Sequence, residues 1–329
     1  LLDSFSGFPT DTRHIIFGQT AALSGSMYSF GKNMRDGILA AFHKANEEMA
    51  LGAYDLQLLT LDDGYEVQNA TDNMMKFIEE ENVFGVIGSV GTKTAEVLYP
   101  IALEWKVPFV GALSGAKFLR WPFKEQVINV RPSYIDETAM MIKKYTEDLG
   151  FTKISVFIQD DDYGEAGKEG VDTALRAHGL TIYSEGRFEY GSDDVATGLA
   201  ALGDETEAIV AIGYYSPVAK FIKLAKVRWP EIYVSMVSRI GPYQVADLLE
   251  VAENRKHIFF SQVVPSPYDE ELHLSAEYHQ AIKDYVHYTN PGEEDECDLC
   301  SASYNYNYKS IEGYMVGRLA VEVLRNMDI

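Results

Sequence analysis

The sequence predicts an α/β protein built as two doubly wound parallel-sheet lobes. Three observations carry this. Short apolar runs alternate with stretches that repeat apolar residues at helical spacing. That alternation breaks near residues 127–132, then restarts with a second series of the same kind. The loops that follow the strands are rich in Gly, Ser and Thr, as expected where backbone amides approach a ligand at the carboxyl edge of a sheet.

Residues 1–13 are polar and irregular and read as a tail, and residues 14–20 (His-Ile-Ile-Phe-Gly-Gln-Thr) form the first strand. A small-residue loop with Ser24, Gly25, Ser26 and Tyr28 leads to a helix over 31–49, with Met34, Ile38, Ala41, Phe42 and Ala45 on one face. Residues 54–61 alternate as a strand and end at Asp62-Asp63-Gly64, where a capped turn fits better than a cation site; a helix over 67–80 follows. The run Val83-Phe84-Gly85-Val86-Ile87-Gly88 is a buried strand. After it come Ser89-Val90-Gly91-Thr92-Lys93-Thr94 and a helix from 94 to 105. Thr92 here is either a helix cap or a ligand group at a helix N-terminus. Residues 107–110 are a fourth strand, ending at Gly111-Ala112-Leu113-Ser114-Gly115, and 127–132 is extended and reads as a crossing between domains.

In the second series, helices are expected over 135–149, 164–178, 194–202 and 217–227, and strands over 153–159, 181–188, 208–212 and 232–236. Their carboxyl-edge loops hold Asp160-Asp161-Asp162-Tyr163, Gly213-Tyr214-Tyr215-Ser216 and Val237-Ser238-Arg239-Ile240-Gly241. A strand over 258–264 runs into Pro265-Ser266-Pro267, a second crossing. A helix over 270–288, an acidic loop over 290–303 and a helix over 310–327 complete the chain.

With 329 residues the chain is long enough for two domains, each with its own core. The net charge of −22, from 28 basic and 50 acidic residues, argues against nucleic acid or an anionic membrane surface as partner. No apolar run is long enough to span a bilayer, and the start at Leu1-Leu2-Asp3-Ser4 reads as processed or trimmed. Cys297 and Cys300 lie in an acidic loop that lacks further metal ligands; they form either a small-loop disulfide in an oxidising compartment or two idle thiols. Dinucleotide, Walker and nucleophile-elbow motifs are missing, the histidines avoid the edge loops, and no cofactor is expected. Tyr163 or a carboxylate of Asp160–Asp162 would have to serve as base in a rival reading as an α/β enzyme.

Six motifs, taken in order, then point to a family: Gln19-Thr20-Ala21-Ala22-Leu23-Ser24-Gly25, the loop from Val86 to Ala95, Val107-Pro108-Phe109-Val110-Gly111-Ala112, Asn129-Val130-Arg131-Pro132-Ser133-Tyr134, Asp161-Asp162-Tyr163-Gly164 and Ile311-Glu312-Gly313-Tyr314. Over about residues 14–325 the chain resembles the type I periplasmic binding proteins of the leucine/isoleucine/valine-binding family and related receptor domains. The resemblance implies two lobes joined by a multi-strand hinge of three crossings and closing on a small ligand. One lobe is residues 1–130 plus 264–329 and the other 131–263. It also implies that the chain stops short of a final strand and crossing.

By the same resemblance, Thr92, the Leu113 backbone and Gly115 would hold a ligand carboxylate, with Ser114 and Thr94 beside them; Ser89 is expected among the ligand-binding residues as well. Gly115 stands where relatives often carry a threonine. Tyr28, Tyr163 and Tyr214 would line the ligand. Relatives that bind α-amino acids place an acid where this chain has Ser238, followed by Arg239. An ammonium group without a carboxylate partner is costly to bury, and Arg239 favours an anion. The expectation is an exported, periplasmic or extracellular, non-catalytic binding module for a small polar or carboxylate-bearing metabolite, an amino acid or organic acid. It would serve an ABC permease or a membrane-anchored signalling domain.

Overall fold

The computed structural model describes residues 13–289 and 306–327. Cys297 and Cys300 lie outside the described residues. The chain divides into two compact units. Unit 1 comprises 1–112, 125–130 and 264–329; unit 2 comprises 113–124 and 131–263.

Unit 1 begins with β1 (Arg13–Ala21), α1 (Tyr28–Glu47), β2 (Tyr54–Asp62), α2 (Val67–Glu79), β3 (Gly85–Ile87), α3 (Thr92–Trp105), β4 (Phe109–Val110) and β5 (Val127–Ile128). The five strands are parallel, in the order β2-β1-β3-β4-β5. The extended stretch expected as a crossing therefore begins as the edge strand of this sheet: Phe109 and Val110 pair with Val127 and Ile128. On one face of β1, Phe17 meets Phe42 of α1 at 5.6 Å and Phe84 at 5.4 Å between ring centroids. Met34, Ile38, Ala41, Phe42 and Ala45 of α1 are all buried, as their spacing predicts.

In unit 2 the elements are α4 (Tyr134–Lys143), β6 (Ile154–Gln159), α5 (Asp162–Ala177), β7 (Glu185–Phe188), α6 (Ala196–Ala201), β8 (Ala208–Ile212), α7 (Tyr215–Arg228), β9 (Tyr233–Met236), α8 (Pro242–Leu249), α9 (Ala252–Arg255) and β10 (Ile258–Phe260). α4 opens with a capping box: Ser133 Oγ accepts the Asp136 amide at 3.1 Å, and the Asp136 carboxylate accepts the Ser133 amide at 2.9 Å. The second sheet is also parallel, in the order β10-β9-β8-β6-β7. Every residue of β6 and β8 is buried, which explains the unbroken apolar run of β8 (Ala208–Ile212); in β6 the buried Ser155 and Gln159 interrupt the run. Ile154, Val156 and Ile158 pack with Val171 and Leu175 on one face. Phe157 turns to the other, where it stacks on Phe221 at 3.7 Å and Phe188 at 5.1 Å. One sheet thus carries a helical layer on each face. The expected strand over 181–188 shrinks to its last four residues, and the short helices α8 and α9 were not expected.

Unit 1 is completed by α10 (His273–Thr289) and α11 (Tyr308–Arg325), both packed on α1. α11 also starts with a capping box, from Asn307 and Ser310.

Candidate functional site

In each sheet the strand order reverses beside the first strand of its unit, between β1 and β3 and between β6 and β8. Loops leaving the carboxyl ends there are where open α/β sheets place ligands.

In unit 1, β3 ends at Gly88 and the chain turns through Ser89, Val90 and Gly91 into α3. Gly91 occupies the cap position with φ +117°, and a Cβ there would lie 2.1 Å from the Tyr65 ring, so only glycine fits. No side chain caps α3. Thr92, its first residue, and Ser89 are buried, and the Ser89 hydroxyl has no hydrogen-bond partner. Thr94 is buried as well, but its hydroxyl donates to the Val90 carbonyl at 2.9 Å and so braces the turn. Tyr28, by contrast, opens α1 and is 46% exposed.

Beside this turn, β2 ends in the Asp62-Asp63 pair. Asp62 accepts the amides of Leu23 at 2.7 Å and Gly64 at 2.9 Å. Asp63 accepts the Tyr65 amide at 2.8 Å and the Thr20 hydroxyl at 2.9 Å. Both carboxylates are turn braces. Burial pushes the Asp63 carboxyl up to about 6, against the lowering effect of the Tyr65 amide and Thr20. Among the described residues no group of three or more His, Cys, Asp or Glu side chains could hold a metal ion.

Leu113 and Ser114 follow β4 of unit 1 in sequence but cluster with unit 2. Ser114 Oγ accepts the Ala116 amide at 3.3 Å. Arg120 fastens this segment, donating to the carbonyls of Ser114, Ala116, Arg131 and Pro132 at 2.7–3.1 Å. A groove of about 480 Å³ lies beside it, lined by Lys117, Arg120, Trp121, Ser133, Ile135 and Asp136. None of the residues expected at the ligand lines that groove.

The edge of unit 2 brings Tyr163, Ser238 and Arg239 together. Asp161 caps α5 by accepting the amides of Tyr163 and Gly164 at 3.0 and 3.1 Å, which fixes the start of the helix and hence Tyr163. Gln159, the last residue of β6, joins two loops: its side-chain amide donates to Asp161 at 2.6 Å and accepts the Tyr214 amide at 3.1 Å. Tyr214 is half-buried and tilts against Tyr215, 4.1 Å between centroids. Arg239 is 4% exposed, and its guanidinium carbon lies 4.3 Å from the centre of the Tyr163 ring. Tyr163 is itself 1% exposed, and its hydroxyl has no hydrogen-bond partner. Burial, more than the neighbouring Tyr134, raises that hydroxyl well above the usual tyrosine range.

Sequence reasoning did not single out the residues that hold this cluster in place. Glu137, buried on α4, accepts the Ser238 amide at 2.7 Å and the Ser261 hydroxyl. Arg131 donates to the Ser238 hydroxyl. A signal for Glu137 was available: it shares the apolar face of α4 with Tyr134, Thr138 and Met141, where a carboxylate needs partners.

Similarities to known proteins agree with this architecture. A family model described as "Periplasmic binding protein" matches residues 15–284. A possible leucine/isoleucine/valine-binding protein from Rhodopirellula baltica SH 1 is 34% identical, with 98% of this chain and 84% of that chain covered and a TM-score of 0.85. A branched-chain amino acid ABC transporter protein from Thermus thermophilus, solved with bound valine, is 16% identical over 95% of this chain and 78% of that chain, at TM-score 0.80. A solute binding protein from R. palustris in complex with 4-hydroxybenzoate is 15% identical over 95% of this chain and 80% of that chain, at TM-score 0.74. A comparison with curated protein sequences gives no match. The extent of the family match and the 34% identity across nearly the whole chain establish that this chain belongs to the periplasmic binding protein family.

Proposed function

We propose that the protein is an exported binding protein that closes on one small polar or carboxylate-bearing molecule and presents it to an ABC permease or a membrane-anchored signalling domain. The loop edge of each unit supplies ligand groups: Ser89 and Thr92 from unit 1, and Leu113, Ser114, Tyr163, Tyr214, Ser238 and Arg239 from unit 2. The observation that carries the reading is the turn into α3. A helix without a side-chain cap, preceded by a buried, unpartnered Ser89 hydroxyl, suits an anionic or polar ligand atom. Tyr28 and Thr94 are weaker contributors, the first by its exposure and the second because its proton is committed to Val90.

An enzymatic role has less support. Asp161 is occupied by two backbone amides and Gln159, Asp160 pairs with Arg187 at 2.6 Å, and the Tyr163 proton is held too tightly for a base at neutral pH. No described helix is long and apolar enough to cross a membrane.

A thermal-shift screen of amino acids, aliphatic and aromatic carboxylates, amides and polyols tests the proposal. A ligand at 100 times its dissociation constant adds about 2.7 kcal/mol to the stability of the folded state. At least one compound is expected to raise the melting temperature in a saturable way. A flat response across the screen, with turnover of any of these metabolites, contradicts the reading.

A further inference from the structure

We propose that the unit 2 edge is built to receive a carboxylate and to disfavour an ammonium group, so that the ligand is an organic acid rather than an α-amino acid. This deepens, and rests on, the reading of the chain as a small-molecule binding protein.

The Tyr163 hydroxyl is buried and has no hydrogen-bond partner, and neither has the buried Tyr134 hydroxyl, on a ring 5.5 Å away. A buried hydroxyl without a partner is costly, and both of these can donate to an acceptor. The charged groups acting on the Tyr163 hydroxyl are Arg239, Glu137 and Arg131. All three are buried to within 4% of full enclosure.

Around Tyr163 and Ser238 stand two guanidinium groups and one carboxylate: Arg239 over the Tyr163 ring, and Arg131 and Glu137 both bonded to Ser238. One oxygen of that carboxylate is committed to the Ser238 amide and the Ser261 hydroxyl; the other has no hydrogen-bond partner. An ammonium group brought here would meet a net positive surrounding in a poorly screened place. A carboxylate meets a planar guanidinium stacked over an aromatic ring, together with hydroxyl donors. Burial keeps the proton on Tyr163, so it donates throughout the neutral range.

The test uses pairs of compounds that differ in the α-ammonium group alone: 4-methylpentanoate and leucine, 3-phenylpropanoate and phenylalanine, glutarate and glutamate. Calorimetry with the full chain is expected to give at least one acid that binds roughly tenfold or more tighter than its amino acid. Tyr163→Phe, which removes one hydroxyl, is expected to weaken that acid by roughly tenfold. Arg239→Gln is expected to weaken it further, while the circular dichroism melt stays cooperative. An amino acid that binds as tightly as its paired acid overturns the proposal and leaves the binding-protein reading intact. So does acid affinity unchanged in Tyr163→Phe. Failure of all three acids to bind overturns the proposal too, and the broader thermal-shift screen then decides separately whether the binding-protein reading survives.

Discussion

Asp63 shows how a single buried carboxylate can serve structure at an energetic cost. It is fully buried at the end of β2, and its two hydrogen bonds do not offset its loss of water, so its pKa rises from 3.8 to about 6. The folded state thus holds this proton more tightly than the unfolded state does. Its contribution is most favourable below pH 4 and is lost as pH rises through about 6. Asp63→Asn removes the ionisation and keeps an acceptor for the Tyr65 amide. Relative to the parent, the variant should gain about 2–3 kcal/mol between pH 4 and pH 7.5. Urea titrations of both proteins at the two pH values measure this; a stability difference independent of pH contradicts it. The same residues mark the reach of sequence reading. Asp62-Asp63-Gly64 is legible as a capped turn because the Gly64 and Tyr65 amides it accepts are local; the Leu23 amide and the Thr20 hydroxyl, 39 and 43 positions away, are not legible. The Glu137 contacts with Ser238 and Ser261 are not, because they join residues more than a hundred positions apart.

Among the elements, α1 and α11 form a pair sensitive to side-chain size. Gly313 on α11 lies against the α1 backbone, where a Cβ would fall 2.2 Å from the Met34 carbonyl oxygen. Two helices this close cannot separate locally without disturbing the β1 face that α1 covers. Gly313→Ala should therefore cost about 2–3 kcal/mol, as overpacking of a fixed interface does. Denaturant unfolding at pH 7.5 reads the change, and an unaltered midpoint would show that the helices adjust. The motif containing Gly313 was visible in the sequence; its reason was not, since closeness of backbones leaves no periodic trace. The long helices were legible by apolar spacing and the fully buried strand β8 by its unbroken apolar run. β5 was read as part of a crossing because two residues cannot display a period. The helices α8 and α9, of eight and four residues, lie below the length at which amphipathic spacing is distinctive.

For the molecule as a whole, a net charge of −22 sits beside a unit 2 edge that carries buried arginines. Such a chain discourages polyanionic partners over most of its surface while it encloses Arg131 and Arg239 at the unit 2 edge. Family membership accounts for the repeated α/β plan. In the proposed function, loops of both units contribute to binding the same molecule. Calorimetry of Thr92→Ala and Tyr214→Ala, with whichever compound stabilises the parent chain, decides this. Each variant is expected to bind at least about tenfold more weakly with one site per chain. Parental affinity in both variants would contradict it.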